Sequence, residues 1–172
     1  MKKIAVIGSP GSGKSTLARM LGEILKIEVV HMDRLFWNPG WLQCTQEELQ
    51  AKQDFYLKMG SWIIEGNYSK IWNERLAQAD TIIMIDLNRY TCVYRVIKRF
   101  IKNYGRTRFD LGEDCIEKLD KEFLRYVWQF SKKKRTKLLN AQIKHCSHAQ
   151  IVILPNRKSV EKFANQLIRL QT

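Results

Sequence analysis

A short apolar run, a glycine-rich loop and an amphipathic segment follow one another near the amino end of the chain. Residues 8–16 read Gly-Ser-Pro-Gly-Ser-Gly-Lys-Ser-Thr and fit the pattern G-x-x-x-x-G-K-[ST]. The order strand, loop and helix is the context in which this pattern forms a phosphate-binding loop. The motif therefore predicts an α/β fold with an anion site at the carboxyl end of its first strand.

The residue types of this loop suit a nucleoside triphosphate and its metal ion. Glycines let backbone N–H groups wrap around phosphate oxygens, and the following helix adds its positive N-terminal end. Lys14 is placed to reach the β- and γ-phosphates, and the Ser15 hydroxyl is placed to bind Mg²⁺. We predict that ATP and Mg²⁺ bind here, with cofactor contacts from Gly8, Ser9, Pro10, Gly11, Ser12, Gly13, Lys14, Ser15 and Thr16.

Apolar runs alternate with helical patterns along the rest of the chain. Strands are predicted at residues 4–7, 28–31, 61–65, 81–86 and 149–154, and helices at 14–25, 45–59, 69–78, 90–103, 116–143 and 159–170. Thr45 and Glu48 form a capping-box pattern at one helix start, and Ser159 is expected to cap the last helix. The alternation predicts a five-stranded parallel sheet with helices on both faces, a three-layer α/β/α fold.

The chain is strongly basic, and its charge is unevenly distributed. The formal net charge is +13; residues 1–88 are neutral, whereas residues 89–137 carry fifteen Lys and Arg against six Asp and Glu. Such a segment attracts phosphates, either those of a bound nucleotide or those of a nucleic-acid backbone. Residues 132–135, Lys-Lys-Lys-Arg, are most typical of the second case, although a solvated helical face is the commoner fate of such runs.

The sequence predicts neither a secretion signal nor a membrane span. The apolar run before Gly8 is only four residues long, and no window approaches the roughly 18 apolar residues that a span needs. The four cysteines form no C-x-x-C pair, which favours reduced thiols and a cytoplasmic location. The expected organisation is one domain over residues 1–172, either as a monomer or as a homodimer.

Acidic residues follow three of the predicted strands. Glu65 and Asp86 both end apolar runs and are candidates for organising Mg²⁺; Glu65 is favoured because Gly66 lets the backbone approach a substrate closely. Asp33 follows the second strand, at the rim shared with the phosphate loop. If the acceptor is a hydroxyl, Asp33 is placed to take its proton or to orient it. The alternative role for Asp33 is to cap the turn that follows.

Four arginines are candidates for gripping the transferred phosphoryl group. Arg95 and Arg99 are four residues apart, hence on one face of a helix, and Arg106 and Arg108 lie in an irregular segment beyond it. Guanidinium groups match phosphate oxygens, and a loop that carries them over the site would exclude water. We predict a short helical lid at about residues 100–116. With Lys14 and Asp33, the candidate catalytic residues are Lys14, Asp33, Arg95, Arg99, Arg106 and Arg108.

An acceptor-binding insertion is predicted at about residues 33–60, because this stretch separates two strands and begins with an aromatic loop. Trp37 and Trp41 either form a stacking surface for a ring-shaped substrate or pack onto their own loop. The turn 66–68 is expected to face the acceptor. The predicted substrate-binding residues are Asp33, Trp37, Gly66, Asn67 and Tyr68, and the predicted metal ligands are Ser15 and Glu65.

Several stretches together resemble the adenylate-kinase-related P-loop kinases, and among them the small bacterial DNA topology modulation proteins. Beside the phosphate loop, they are the aromatic segment 31–41, the segment Trp-Ile-Ile-Glu-Gly-Asn-Tyr at 62–68, Arg95 with Arg99, the segment Gly-Arg-Thr-Arg-x-Asp at 105–110, and residues 122–128. This likeness covers nearly the whole chain.

The resemblance implies the strand order 2-3-1-4-5, with Glu65 in the Mg²⁺ shell and Arg95 and Arg99 entering the lid. It also implies that Asn156 and Arg157 lie near the adenine. One position departs from the family, since Ser69 stands where adenylate kinases have the arginine that grips the acceptor phosphate. A nucleoside monophosphate acceptor is therefore not implied.

Two functions of different classes follow from the sequence. The first is a kinase that transfers the γ-phosphate of ATP to a nucleotide or small-molecule acceptor. The second is an ATP-dependent nucleic-acid-binding protein that affects DNA topology, which the family likeness suggests and the charge permits. The kinase is favoured because the sequence contains no recognisable DNA-reading motif and its basic segment coincides with the expected lid.

Overall fold

The computed structural model describes residues 1–130 and 148–170. The predicted basic run at 132–135 and the second half of the helix predicted at 116–143 lie outside these residues. None of the helices in the described part is long and apolar enough to cross a membrane.

Five parallel strands form the central sheet, as the sequence predicts. The strands are β1 (Lys3–Gly8), β2 (Val29–His31), β5 (Trp62–Glu65), β6 (Thr81–Ile85) and β7 (Gln150–Leu154). Their order in the sheet is β2-β5-β1-β6-β7. Counted among themselves along the chain, this is the order 2-3-1-4-5 that the family resemblance implies. Strand β1 is central, so the phosphate loop leaves the middle of the sheet.

Helices cover both faces of this sheet. They are α1 (Lys14–Leu25), α2 (Met32–Phe36), α3 (Gln46–Leu57), α4 (Trp72–Gln78), α5 (Arg89–Lys102), the helical residues 121–130 (α6) and α7 (Arg157–Arg169). Alternate residues of β1 serve the two faces: Ile4 and Val6 pack towards α1, α5 and α7, whereas Ala5 and Ile7 pack towards α3 and α4. Burial of all four side chains of residues 4–7, on one face or the other, is what a parallel sheet between two helical layers requires. The three-layer α/β/α fold is confirmed.

The aromatic segment after β2 is more regular than the loop that the sequence predicts. It contains the short helix α2, then a two-stranded antiparallel hairpin of β3 (Trp37–Asn38) and β4 (Leu42–Gln43), joined by a 3₁₀ turn at Pro39–Trp41. The Thr45–Glu48 capping box at the start of α3 is confirmed, with the Glu48 N–H 3.1 Å from the Thr45 hydroxyl. These elements fill the predicted insertion at 33–60.

The starts of two later helices differ from prediction. Helix α7 is capped by Asn156 and not by Ser159, because the Asn156 side chain accepts from the Ser159 N–H while the Ser159 hydroxyl accepts from the Asn156 N–H. The helix predicted from Ile116 begins at residue 121 instead. Ile116 and Glu117 form isolated bridges with the lid, and the Asp120 carboxylate accepts from the Phe123 N–H at 2.6 Å.

The lid segment between α5 and α6 is mostly not helical. Of the predicted lid residues 100–116, only the first three belong to a helix, and the rest form turns and the two isolated bridges. In this segment Asp110 forms an ion pair with Arg108, and Glu117 forms ion pairs with both Arg99 and Arg108. The segment around Arg106 and Arg108 is thus irregular, as the sequence predicts, and the helical part of the lid is limited to residues 100–102.

Candidate active site

The phosphate loop joins the end of β1 to the start of α1 and lies against α5. Gly11 has φ +77°, and a Cβ at this position would collide with the backbone carbonyl oxygen of Cys92. Gly13 has φ +99° and precedes the first turn of α1. Only glycine adopts these conformations at such close approach without strain. The loop therefore has the backbone freedom and the helix N-terminus that an anion site needs.

Two cations lie on carbonyl oxygens of the loop. The Lys14 ammonium donates to the Ser9 carbonyl oxygen at 3.1 Å, and the Arg95 guanidinium donates to the Ser12 carbonyl oxygen at 3.3 Å. Both groups line the same cavity as the loop. A charged phosphate oxygen is a stronger acceptor for either cation than a neutral carbonyl oxygen. A bound phosphate would therefore replace the carbonyl oxygens as the partner of Lys14 and Arg95.

Ser15 is the point at which three elements meet. Its hydroxyl oxygen lies 3.1 Å from Glu65 Oε1, at the end of β5, and 2.7 Å from Asp110 Oδ2, in the lid. Glu65 is 3% exposed and also lies 2.8 Å from His31 Nδ1, which is placed to donate to it. The sequence reasoning paired Ser15 with Glu65 and gave no role to Asp110 or His31.

The donor set around Ser15 fits Mg²⁺. Hydroxyl and carboxylate oxygens are the ligands this ion prefers, and it is usually bound by one or two protein groups together with substrate phosphates and water. The described residues contain no group of three or more His, Cys, Asp or Glu that could hold a metal ion by themselves. Ser15 and Glu65 would therefore hold the ion jointly with the phosphates of a bound nucleotide.

The turn after β5 is hydrogen-bonded to the residue at which the phosphate loop begins. The Asn67 side chain donates to the Gly8 carbonyl oxygen at 2.9 Å and accepts from the Gly8 N–H at 3.3 Å. The buried Arg75 of α4 donates to the Gly66 carbonyl oxygen at 3.0 Å. Burial lowers the pKa of Arg75 to about 10. The predicted substrate turn is thus tied to the end of β1.

Asp33 faces the same cavity from the start of α2. The Tyr68 hydroxyl donates to Asp33 Oδ1 at 2.7 Å, which orients the carboxylate. Burial, and then the negative charge of Glu65, raise the pKa of Asp33 above its usual range. A carboxylate of raised pKa is a stronger base, so Asp33 has the environment of a group that accepts a proton.

Arg99 and Arg108 converge on carboxylates in the lid. Arg108 Nε lies 2.7 Å from Glu117 Oε2 and 3.4 Å from Asp110 Oδ1, and Arg99 Nε lies 3.1 Å from Glu117 Oε1. Arg106 is different, because its exposed side chain is not among those that line the cavity. The structure thus brings three of the four predicted arginines to the site and leaves Arg106 outside it.

The two tryptophans of the hairpin pack against each other and also line the cavity. Their ring centroids are 5.1 Å apart with the planes nearly perpendicular, and Trp41 Nε1 donates to the Ile116 carbonyl oxygen at 2.8 Å. Phe36 lies between Trp37 and Tyr68, with centroid distances of 4.8 Å and 5.0 Å. These rings pack on their own loop, as one of the two alternatives expects, and they also line the cavity; a stacking surface for a substrate stays a prediction.

The segment after β7 reaches the cavity through one residue of the predicted pair. Arg157 lines it, with its Nε 2.6 Å from Glu161 Oε1, whereas Asn156 is the cap of α7 and does not line it. Both residues were expected beside the adenine on the strength of the family resemblance alone. Arg157 alone keeps a position consistent with that role.

One cavity of about 1460 Å³ gathers most of the predicted site. It is lined by Pro10, Gly11, Ser12, Gly13, Lys14, Ser15, Thr16, Asp33, Trp37, Glu65, Gly66, Asn67, Tyr68, Arg95, Arg99, Arg108 and Arg157. The predicted residues that do not line it are Gly8, Ser9, Arg106 and Asn156. The cavity is also lined by Asp110 and Glu117, which sequence reasoning did not single out. Asp110 ends the segment Gly-Arg-Thr-Arg-x-Asp that carries part of the family resemblance, whereas the only sequence signal of Glu117 is acidity within a basic segment.

The fold and the site together define an α/β protein in which a phosphate loop, its lysine and a strand-end acid line one cavity. No protein-family profile matches the sequence, and no curated protein matches it either. The matches are among solved structures, where the likeness is in the fold.

A shikimate kinase and a gluconokinase are among these structures. Shikimate kinase from Acinetobacter baumannii, in complex with shikimate, has a TM-score of 0.61 at 14% sequence identity, over 99% of this chain and 92% of its own. A gluconokinase from Sinorhizobium meliloti 1021 has a TM-score of 0.55 at 14% identity, over 99% of this chain and 93% of its own. This chain has the P-loop kinase fold.

Proposed function

We propose that the protein is an ATP-dependent phosphotransferase that acts on the hydroxyl group of a small molecule or nucleotide. The observation that carries this proposal is that one cavity is lined both by Lys14 and Ser15 of the phosphate loop and by Asp33, whose pKa is raised. A phosphate donor and a hydroxyl acceptor therefore have binding groups within the same enclosed space. The solved kinases of like fold support this assignment.

In the proposed reaction, the acceptor hydroxyl oxygen bonds to the γ-phosphorus of ATP while the bond to the β-phosphate oxygen breaks. Asp33 takes the hydroxyl proton, and Tyr68 holds its carboxylate in place through the 2.7 Å hydrogen bond. Lys14, Arg95 and Arg99 neutralise the charge on the phosphates. Mg²⁺, held by Ser15 and Glu65, supplies further neutralisation of the transferring group when it is bound.

The proposal also includes the family to which the protein is related and its location in the cell. The likeness to adenylate-kinase-related kinases and to DNA topology modulation proteins is supported by the turn 66–68, which stands beside Glu65 where the family places its acceptor-binding stretch. A cytoplasmic location is supported by the free, buried thiols of Cys44, Cys92 and Cys115.

The test is transfer of γ-labelled phosphate from Mg·ATP to a panel of nucleosides, nucleoside monophosphates and small hydroxyl metabolites. Lys14→Ala is the control that should abolish transfer and keep the fold, as judged by circular dichroism. Asp33→Asn should reduce transfer to a hydroxyl far more than transfer to a phosphate acceptor. Label found only as inorganic phosphate, or undiminished transfer by Lys14→Ala, would contradict the proposal.

A further inference from the structure

The lid places a buried carboxylate directly at the metal-binding hydroxyl. Asp110 is 6% exposed, and its Oδ2 lies 2.7 Å from Ser15 Oγ, closer than the 3.1 Å of Glu65 Oε1. Ser15 and Asp110 are 95 residues apart in sequence. The contact is therefore a product of how the lid folds back over the phosphate loop.

The backbone around Asp110 is anchored on the opposite side of the cavity. A Cβ at Gly112 would collide with the Trp37 carbonyl oxygen, so the backbone of the lid rests directly on β3. Cys115 Sγ donates to the Asn38 carbonyl oxygen at 3.4 Å, one residue further along the same strand. These two contacts fix the lid next to Asp110 without using any residue of the phosphate loop.

Two carboxylates approach the Ser15 hydroxyl from different elements. The Ser15 hydroxyl has one hydrogen, so it donates fully to only one of the two carboxylates that approach it, Glu65 or Asp110. Asp110 Oδ1 is buried without a hydrogen-bond partner among the described residues, although Arg108 Nε lies 3.4 Å away. Like charges that share one neutral donor favour an added cation between them.

From this geometry we propose that Asp110 is a third oxygen donor of the Mg²⁺ site, directly or through water, so that binding of the metal holds the lid over the phosphate loop. The inference rests on the proposed function, because it assumes that Mg·ATP binds at Ser15 and Glu65. It goes beyond that function because it gives the metal a second role, which is to couple nucleotide binding to the position of the lid.

The same contact permits one competing role. Asp110 could act only as a resident anion that occupies the phosphate site and has to leave when ATP enters. The two roles predict opposite effects of neutralising the carboxylate. A metal ligand that is lost weakens binding only when Mg²⁺ is present, whereas a competing anion that is lost strengthens binding of ATP with or without the metal.

The experiment is calorimetric titration of a non-hydrolysable ATP analogue into wild type, Asp110→Asn and Glu113→Gln, each with Mg²⁺ and with EDTA. Glu113 is an exposed acid of the same lid segment, so its variant controls for charge alone. We expect Asp110→Asn to reduce the strengthening of binding by Mg²⁺ about tenfold, a typical loss for a group that supports a metal. Binding in EDTA should stay within about twofold of wild type, as in the control variant.

Trypsin cleavage at the lid arginines provides a second readout. Mg²⁺ with the analogue should protect the lid of wild type and of Glu113→Gln, but protect that of Asp110→Asn much less. Stronger binding by Asp110→Asn in both conditions, or an undiminished effect of Mg²⁺, would overturn the inference and leave the proposed kinase standing. If wild type binds no analogue under either condition, the proposed function itself fails and the inference fails with it.

Discussion

Replacing Gly11 by alanine tests whether the phosphate loop depends on a glycine packed against α5. The φ of +77° places Gly11 in the left-handed region, which costs a residue with a Cβ about 1–2 kcal/mol. The new Cβ would also collide with the Cys92 carbonyl oxygen and lie 3.0 Å from Val96 Cγ2. Overpacking of this kind costs about 1–3 kcal/mol. We therefore expect Gly11→Ala to lower the free energy of unfolding by roughly 2–5 kcal/mol.

A second glycine of the chain provides a matched control. Gly40, in the turn between β3 and β4, has a similar φ of +73°, and a Cβ there would meet nothing within 4 Å. Gly40→Ala should therefore cost only the conformational part, about 1–2 kcal/mol. The difference between the two variants isolates the steric contact with α5.

The assay is urea unfolding of wild type, Gly11→Ala and Gly40→Ala, followed by circular dichroism. The midpoint should fall further for Gly11→Ala than for Gly40→Ala, with the slope unchanged. Calorimetry should also show weaker binding of an ATP analogue by Gly11→Ala alone, because the loop or α5 has to shift. Equal losses of stability in the two variants would refute the argument that backbone packing at Gly11 shapes the loop.

The remaining predictions concern charge, tethering and capping. Burial and the charge of Glu65 raise the pKa of Asp33 above the ordinary value of 3.8. The free energy of unfolding therefore falls as pH rises from 3.8 through the raised pKa, because the folded protein then has to hold a buried negative charge. Asp33→Asn should therefore unfold at a higher temperature than wild type at pH 7, with the advantage shrinking towards pH 4; a disadvantage at pH 7 would contradict this. Asn67→Ala removes both hydrogen bonds to Gly8 and should cost about 1–3 kcal/mol in urea unfolding and weaken ATP binding. Thr45→Ala removes the cap of α3 and should cost about 1 kcal/mol without changing ATP binding, so a loss of binding there would show that α3 influences the loop.

Much of the site could be predicted because its residues belong to a local pattern. The phosphate loop is contiguous, and Asp33 and Glu65 each stand at the end of a strand in a parallel sheet, where carboxyl ends meet at one edge. Their positions at or just after the ends of strands were enough to predict that these acids lie in the same cavity as Lys14 and Ser15. Arg95 and Arg99 followed from spacing on one helix.

The contacts made by the lid are what the sequence did not predict, and the reason is that they depend on distant partners. Asp110 and Glu117 are acids in a basic segment, and the sequence predicted no ion-pair partner for either of them. Their burial is possible only because Arg99 and Arg108 neutralise them in three dimensions. The helix predicted from residue 116 begins at residue 121, after these ion pairs, and Arg106 is exposed.

What the sequence by itself determined is therefore the order of elements and the anion site at the end of β1, because hydrophobic periodicity and glycine chemistry act over a few neighbouring residues. What only the tertiary structure decided is the arrangement between elements. Ser15, Glu65 and Asp110 meet at one hydroxyl, with Asp33 held by Tyr68 in the same cavity. These contacts are made across long sequence separations, and their energies depend on burial, which no local pattern specifies.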